Sequence, residues 1–581
     1  MVATLVTSPI ESTWPKKGKV IFLGSWCCLF DRKEKWSSYD YLIEDFHWDD
    51  RRKLLKNYHE LEKIYENYLS EFSKYLNEFH HKDFSERFWR ILIGPWLYST
   101  INILYDRWFM LFKVVSKQQY LKKFVLNDNS ESLKVLDMHD FNKKIEEDEW
   151  NEALYSLLIK KFFSSNINII YLDETHKKQI RIEEKNSIFL LKRIANFIAK
   201  FFSRNSDVFV ISPYISHLNR FFLQINLKQF PVFWFQSNKK ISFKKSLSFR
   251  NNPLPFSYKI LPEFEKVLNE TLLNLIPQSY FESFEDLIEE SQNQGWPNST
   301  KSIFTSNAFI SDEIFKCWAG IKTDEGAKLI IGQHGGNFGM TPMAIHESHQ
   351  IKISDKWLSW GWDDPKNKKI IPIGNFKTSF KKIKHSQKGN ALLVGMTLPR
   401  YSYYLYSVPI AGQIERYLND QIKFTRFLSE KILTRLKIRT YPSDRGWSQK
   451  RRWKEVFKNK ISFDDNRIPL NKSLKKCRVF IGTYNATTYL ETFAVNMPSI
   501  IFWDPKYWEI NQNTKILFKK LEEERVFHSC PSSAAKHLEE IWEDIDSWWF
   551  SSDVQKAVTE FNEVFSKKNP KFLKSIQNSL I

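Results

Sequence analysis

In the second half of this 581-residue chain, short apolar runs recur, and each ends in glycine or gives way to a polar turn. They are Lys328-Leu329-Ile330-Ile331, Ala391-Leu392-Leu393-Val394-Gly395, Leu436-Lys437-Ile438-Arg439-Thr440-Tyr441, Arg478-Val479-Phe480-Ile481-Gly482 and Ser499-Ile500-Ile501-Phe502-Trp503. Helical patterns separate them, including one over about residues 410–435, and two more at about 533–549 and 551–567 close the chain. Strands that alternate with helices make a parallel sheet covered on both faces, so the expected class is α/β. The amino end repeats the theme, because Lys19-Val20-Ile21-Phe22-Leu23-Gly24 predicts a buried strand ending in a glycine turn. Residues 208–213 and 231–235 read as short strands, and 286–300 as a loop. In open sheets of this kind, ligands meet the carboxyl ends of the strands.

The first half also carries long helices. Asp49 and Asp50 precede a pattern in which Leu54, Tyr58, Leu61, Tyr65, Tyr68, Phe72 and Leu76 recur at three- and four-residue steps. A second apolar, aromatic segment covers 88–115, which gives a helical insertion over about 49–125. Residues 127–150 are polar and acidic and read as a surface insertion. The run His385-Ser386-Gln387-Lys388-Gly389-Asn390 reads as a linker. The expected organisation is one α/β unit over 1–384, a second over 385–550, and a carboxyl-terminal helix and tail over 551–581. Two such units on a short linker leave a cleft between them.

Composition narrows the partners. Lys and Arg number 87 and Asp and Glu 67, a net charge of +20, which fits an anionic partner. The basic residues are dispersed and no zinc-finger spacing or RNA-recognition consensus is present, which disfavours nucleic acid. The stretch Lys192-Arg193-Ile194-Ala195-Asn196-Phe197-Ile198-Ala199-Lys200-Phe201-Phe202 is basic and amphipathic. It suits an anionic membrane surface, or an ordinary surface helix with its apolar side on the core. No charge-free apolar run reaches the length of a spanning helix. The first residues lack the layout of a signal peptide, and the five cysteines form neither a metal spacing nor a disulfide framework. The expected compartment is the cytoplasm, with possible sites on the inner face of its membrane.

Three motifs at strand ends suit chemistry. Gly332-Gln333-His334-Gly335-Gly336-Asn337-Phe338-Gly339 follows a strand directly. Its glycines let backbone approach a ligand, and His334 can donate to a phosphate or carboxylate or act as acid or base. A tight turn with a structural histidine reads the same way. Gly482-Thr483-Tyr484-Asn485-Ala486-Thr487-Thr488-Tyr489-Leu490-Glu491 runs from strand to turn to helix. Backbone N–H groups at a helix start favour phosphate, Thr487 and Thr488 add hydroxyls, and Glu491 suits a ribose diol. Plain capping by Asn485 or Thr487 explains the pattern equally. Arg439-Thr440-Tyr441-Pro442-Ser443-Asp444-Arg445 offers guanidinium groups for phosphate, or a proline-broken loop of solvated charges. Asp49, Asp50, Asp312 and Glu313 each stand before a helical pattern, where capping accounts for them. Asp544-Ile545-Asp546 reads as a solvated face rather than a metal site. Neither a P-loop nor a Gly-x-Ser-x-Gly elbow is present.

Taken together, these stretches resemble the transferases of O-antigen and capsule clusters, which are distantly similar to bacterial Kdo and pseudaminic-acid transferases. The resemblance runs nearly end to end. It rests on Met1-Val2-Ala3-Thr4-Leu5-Val6-Thr7, His47-Trp48-Asp49-Asp50-Arg51, Arg90-Ile91-Leu92-Ile93-Gly94-Pro95-Trp96 and Thr305-Ser306-Asn307-Ala308-Phe309, with the three motifs above. It implies a GT-B fold of two Rossmann-like domains facing a cleft, with 1–384 on the acceptor side and 385–550 binding the nucleotide sugar. It implies a CMP-activated ulosonic or nonulosonic donor as substrate, no metal or other cofactor, and a glycan or lipid-linked glycan acceptor. Gln333, Gly335, Arg439, Tyr441, Asn485, Thr487, Thr488 and Glu491 then bind the donor, with His334 near its phosphate or carboxylate. Tyr441 stands where many such folds place a histidine. Asp312 or Glu313 serves as the catalytic carboxylate, with Asp49 and Asp50 behind them. A CDP-polyol phosphotransferase of the same fold and a non-catalytic glycan-export scaffold are the rival readings.

Overall fold

The computed structural model describes residues 2–118, 120–126, 130–172, 187–236, 248–377 and 383–581. Among them the strands form three sheets, every pairing parallel, where two α/β halves were expected. The first contains β1 (Ala3–Val6), β2 (Lys19–Phe22), β3 (Asp40–Ile43), β4 (Leu121–Leu126) and β5 (Ile167–Leu172), in the order β3-β2-β1-β4-β5. The second contains β6 (Val208–Val210), β7 (Ser302–Thr305), β8 (Lys328–Gly332), β9 (Lys356–Ser359) and β10 (Ile370–Pro372), in sequence order across the sheet. The third contains β11 (Asn390–Val394), β12 (Leu436–Arg439), β13 (Ser462–Phe463), β14 (Cys477–Gly482), β15 (Ser499–Phe502) and β16 (Phe527–His528), ordered β13-β12-β11-β14-β15-β16. Its order reverses between β11 and β14, and such a switch point opens a crevice at the carboxyl ends of the strands.

Two long helices, α1 (Arg51–His80) and α2 (Glu86–Lys117), connect β3 to β4, as the apolar spacing predicts. The Asp50 carboxylate caps α1 by accepting from the Arg52 and Lys53 N–H groups, and Ser85 caps α2. Helix α2 is apolar on nearly every side and runs through the protein interior. It passes so close to its neighbours that a Cβ at Gly94 meets His349 Cε1 at 2.7 Å. No described helix is long and apolar enough to cross a membrane.

The remaining helices that position the site are α3 (Asp148–Phe162), α4 (Ser187–Phe201), α5 (His217–Asn226), α6 (Glu313–Asp324), α7 (Ile345–Ile353), α8 (Gln413–Arg426), α9 (Gln449–Phe457), α10 (Thr487–Ala494), α11 (Ser552–Phe565) and α12 (Phe572–Leu580). The end of the chain returns to the second sheet. Lys567 N–H donates to Trp360 O at 2.8 Å, and Ser302 Oγ donates to Leu580 O at 3.1 Å.

Three local expectations need correction. The described part of the 127–150 segment is not a surface insertion: Leu133, Val135, Leu136, Met138, Phe141, Ile145 and Trp150 are buried, and the Gln278 and Ser279 N–H groups donate to the Val135 and Leu136 carbonyls. Its acidic residues masked a helical apolar spacing. Residues 231–235 are not a strand, and the expected loop over 286–300 begins inside the helix Phe284–Gln292.

Candidate active site

The two motifs singled out in the sequence meet. Strand β8 delivers Gln333-His334-Gly335-Gly336 at its carboxyl end, and β14, beside the switch point, delivers Thr483 through Thr488. Gly336 N–H donates to Thr487 Oγ1 at 2.9 Å, across 151 residues of sequence. The contact is backbone on backbone, because a Cβ at Gly336 would sit 2.7 Å from Ala486 C and Thr487 N. A Cβ at Gly335 would meet only Thr487 Oγ1, at 3.5 Å.

Two residues before each end of this contact stand His334 and Asn485. Asn485 is buried, and its Oδ1 accepts from the Tyr489 hydroxyl at 2.9 Å, while its Nδ2 has no partner. His334 Nδ1 is likewise buried without a partner. Buried polar groups left unpaired are rare, and a pair of them beside a junction of two loops marks a place for a polar ligand. Burial and the nearby Lys377 cation push the His334 imidazole down to about 4, opposed by a hydrogen bond with the Ser306 backbone. His334 is therefore neutral at physiological pH.

Around the junction lie groups that sequence reasoning missed. Lys377, beyond β10, pairs with Glu491 at 3.0 Å and stands 5.6 Å over the Tyr214 ring, which lies 6.0 Å from His334. His346, at the start of α7, accepts from or donates to the Tyr98 hydroxyl at 3.1 Å and packs on Tyr404 at 4.9 Å. Burial pushes His346 down to about 3. Tyr404 follows β11 and couples electrostatically to Arg445, Glu146 and Tyr441. No spacing motif surrounds Lys377 or Tyr404. Their signal is position alone, each lying beyond the carboxyl end of a strand.

The other sequence candidates divide. Thr487 spends its hydroxyl on Gly336, and Thr488 Oγ1 lies beside the Tyr484 hydroxyl. Tyr441 is 41% exposed, with Arg445 5.9 Å from its ring. Gln333 faces inward: it donates to Gly335 O at 2.7 Å and accepts from Trp360 N–H at 2.9 Å and Trp362 Nε1 at 3.1 Å. It shapes the turn and has no side-chain oxygen aimed at a ligand. Arg439 also faces inward, since its guanidinium is held by Asp464 at 2.5 Å and by Ile468 O at 2.7 Å. Glu313 is enclosed with Lys316 at 3.0 Å, the Tyr280 hydroxyl at 2.8 Å and Met138 N–H at 2.9 Å, closed to any acceptor. Asp312 caps α6 through Phe315 N–H at 3.0 Å, and burial pushes its carboxyl up to about 7, with Phe315 N–H opposing. It follows β7, the neighbour of β8, by seven residues. Asp49 accepts from Gln413 Nε2 at 2.9 Å and Asp50 is spent on its cap, so neither serves the junction.

The switch point of the first sheet, between β1 and β4, is filled by the protein itself. Thr7 and Ser8 hydroxyls donate to Glu152 at 2.6 and 2.7 Å, and Lys123 pairs with the same carboxylate at 2.6 Å. A separate polar cleft of about 920 Å³ opens between the β3 loop, with Glu44, Asp45 and Asp49, and helices α8 and α9, with Arg416, Lys423 and Arg452. Among the described residues no group of three or more His, Cys, Asp or Glu is arranged to hold a metal ion.

The sequence profile of the LIC12162 family transferases matches residues 3–580. The chain belongs to this transferase family. No curated protein matches it. In this transferase the junction of β8 and β14 joins groups from two sheets.

One titration at the junction's flank is testable now. Glu347 on α7 accepts from Gly339 N–H at 2.6 Å, and burial pushes its carboxyl from 4.5 up to about 8. Folded, it holds its proton up to that pH, whereas the unfolded chain releases it from 4.5 upward, so this group lowers stability as pH rises between the two values. Glu347→Gln removes the titration. Its melting temperature is expected to change less than the wild type's across that range, and equal pH slopes for the two proteins would contradict the assignment.

Proposed function

We propose that this transferase moves a ulosonic or nonulosonic acid, of the pseudaminic-acid or Kdo type, from a CMP-activated donor to a glycan acceptor in the assembly of a surface polysaccharide. The reading takes the second and third sheets as the two halves of a GT-B-type cleft in the cytoplasm. The observation that carries it is the Gly336–Thr487 contact with the unpaired His334 Nδ1 and Asn485 Nδ2 beside it.

In this reading the first N–H groups of α10 and the Asn485 amide hold the donor phosphate, as helix N-termini do. Thr488 adds a hydroxyl, Tyr441 borders the base, and Glu491 receives the ribose diol. Lys377 balances the charge of the donor's phosphate and carboxylate. Neutral His334 gives its one N–H to the Ser306 backbone, so its free Nδ1 accepts a hydrogen bond from a hydroxyl of the bound sugars. Gln333 and Arg439 serve indirectly, by fixing the loops that carry these residues. The acceptor oxygen attacks the anomeric carbon, the bond from that carbon to the phosphate oxygen breaks, and CMP leaves with the electron pair. The acceptor's proton passes to a carboxylate, for which Asp312, tuned near neutrality, is better matched than the enclosed Glu313. The polar cleft between the β3 loop and α8 suits a hydroxyl-rich acceptor.

A thermal-shift series against CMP, CDP, UDP, GDP and ADP tests the donor. A ligand that binds only the folded chain stabilises it by roughly 2.7 kcal/mol at a hundredfold excess over its dissociation constant. CMP is expected to give the largest rise in melting temperature. A preference for UDP or GDP would overturn the CMP donor, and no response to any of the five would overturn nucleotide binding at the junction.

A further inference from the structure

Helix α4 is inside out, and α5 beside it exposes a second set of apolar residues. On α4, Leu191, Ile194, Ile198 and Phe201 recur at steps of three and four, and this apolar stripe faces outward, with Leu191 68% and Phe201 88% exposed. The buried side is polar. Asn196 is 2% exposed and clamps the Phe235 backbone, donating to its carbonyl at 3.0 Å and accepting from its N–H at 2.9 Å. Helix α5 also turns apolar residues outward, with a mixed inner face. Arg220 and Gln224 are buried beside Leu223, with Arg220 donating to Val210 O at 2.6 Å, while Leu218, Phe222 and Ile225 are exposed. Burial holds the Arg220 guanidinium below its usual range, a cost that turning the helix over would relieve. The Phe202 and Phe230 rings stack at 4.7 Å and join the two helix ends into one surface.

A helix that packs on a core by its apolar side does the reverse. Contiguous apolar patches on monomeric proteins mark interaction sites. The charge around this one identifies the partner. Among the described residues of 187–262 stand 8 Lys and Arg, of which Arg220 and Arg250 are buried, against a single acidic residue, Asp207. A second copy seated on the patch would set this positive segment against itself, which costs free energy. A surface with apolar depth and negative headgroups matches both features.

We propose that the outer face of α4 and α5 docks on an anionic phospholipid bilayer, with Leu191, Ile198, Phe201, Leu218, Phe222 and Ile225 entering the headgroup region. The chain lies on the membrane by this face and does not span it. The inference stands apart from the donor reading, since it uses none of the junction residues.

The test is flotation of the full chain with vesicles of phosphatidylcholine alone or with about one-third phosphatidylglycerol. Binding to the anionic vesicles is expected, weakening as salt rises from about 0.1 M to about 1 M, where the screening length falls to about 3 Å. The triple variant Leu191→Ser, Phe201→Ser, Leu218→Ser changes only exposed side chains, so its melting temperature should hold while its partition falls about tenfold or more. The pair Lys200→Glu, Lys228→Glu should lower binding to anionic vesicles alone. Absence of binding to anionic vesicles, or undiminished binding by the triple variant, would overturn the proposal. A triple variant that turns a dimer into a monomer in light scattering, without vesicle binding by the wild type, would give the face to a second copy and overturn it too.

Discussion

Gly336→Val is expected to melt at a lower temperature and to lose the stabilisation that CMP gives the wild type. The new Cβ would stand 2.7 Å from Ala486 C and Thr487 N, both backbone atoms that cannot rotate aside. The loops must part, and overpacking of this kind costs roughly 1–3 kcal/mol. Parting also breaks the Gly336 N–H bond to Thr487 Oγ1, worth about 0.5–1.5 kcal/mol. The first turn of α10 then moves away from His334, and a phosphate held between them loses one wall. Gly335→Ala is the control. Its Cβ meets only a side-chain oxygen at ordinary contact distance, so stability and CMP response should both stay near wild type. A Gly336→Val protein with an unaltered CMP shift would separate nucleotide binding from the junction.

His334→Ala is expected to slow transfer by about two to four orders of magnitude while leaving the melting temperature nearly unchanged, because a positioned acceptor or base contributes on that scale. The pH profile adds a second reading. His334 is neutral from about 4 upward, so the wild-type rate should show no inflection from it near 6.5. Asp312 titrates at about 7 and must be ionised to take a proton. The rate should therefore rise with pH up to about 7 and level off, and Asp312→Asn should abolish that rise together with most of the rate. Measured with a CMP-activated ulosonic acid and a glycan acceptor, a His334→Ala rate equal to wild type would remove the histidine from the chemistry. A flat wild-type profile through 7 would remove Asp312.

The part of this site that can be read in the sequence is the part written as local contrast. An apolar run ending in Gly-Gln-His-Gly-Gly, or in Thr-Tyr-Asn-Ala-Thr-Thr, announces a strand, a turn and a helix start within a dozen residues, and both turns lie at the junction. That they touch is a product of three sheets packing together, which no local pattern encodes. That the first part of the chain holds two sheets was missed because some of their strands are weakly marked. Strand β3 is mostly exposed and polar at its start, and β10 has three residues. Charge misled in two directions. Acidic residues over 127–150 concealed a buried apolar spacing, and Arg439, read as a phosphate ligand, is neutralised from within by Asp464. Lys377 and Tyr404 have no motif and gain meaning only from the strand ends that carry them. The amphipathic pattern of α4 was legible, but which side faces inward depends on Asn196 meeting the Phe235 backbone, a tertiary contact.

The central claim is that a donor nucleotide lies between the β8 turn and the start of α10. Amide hydrogen exchange of the full chain, with and without saturating CMP, tests it most directly, because a ligand that orders both loops slows exchange in both together. Slowed exchange is predicted in peptides covering 333–339 and 483–490 and nowhere else to the same degree. Protection confined to the cleft lined by Arg416, Lys423 and Arg452, or no protection at the two turns, would contradict the account.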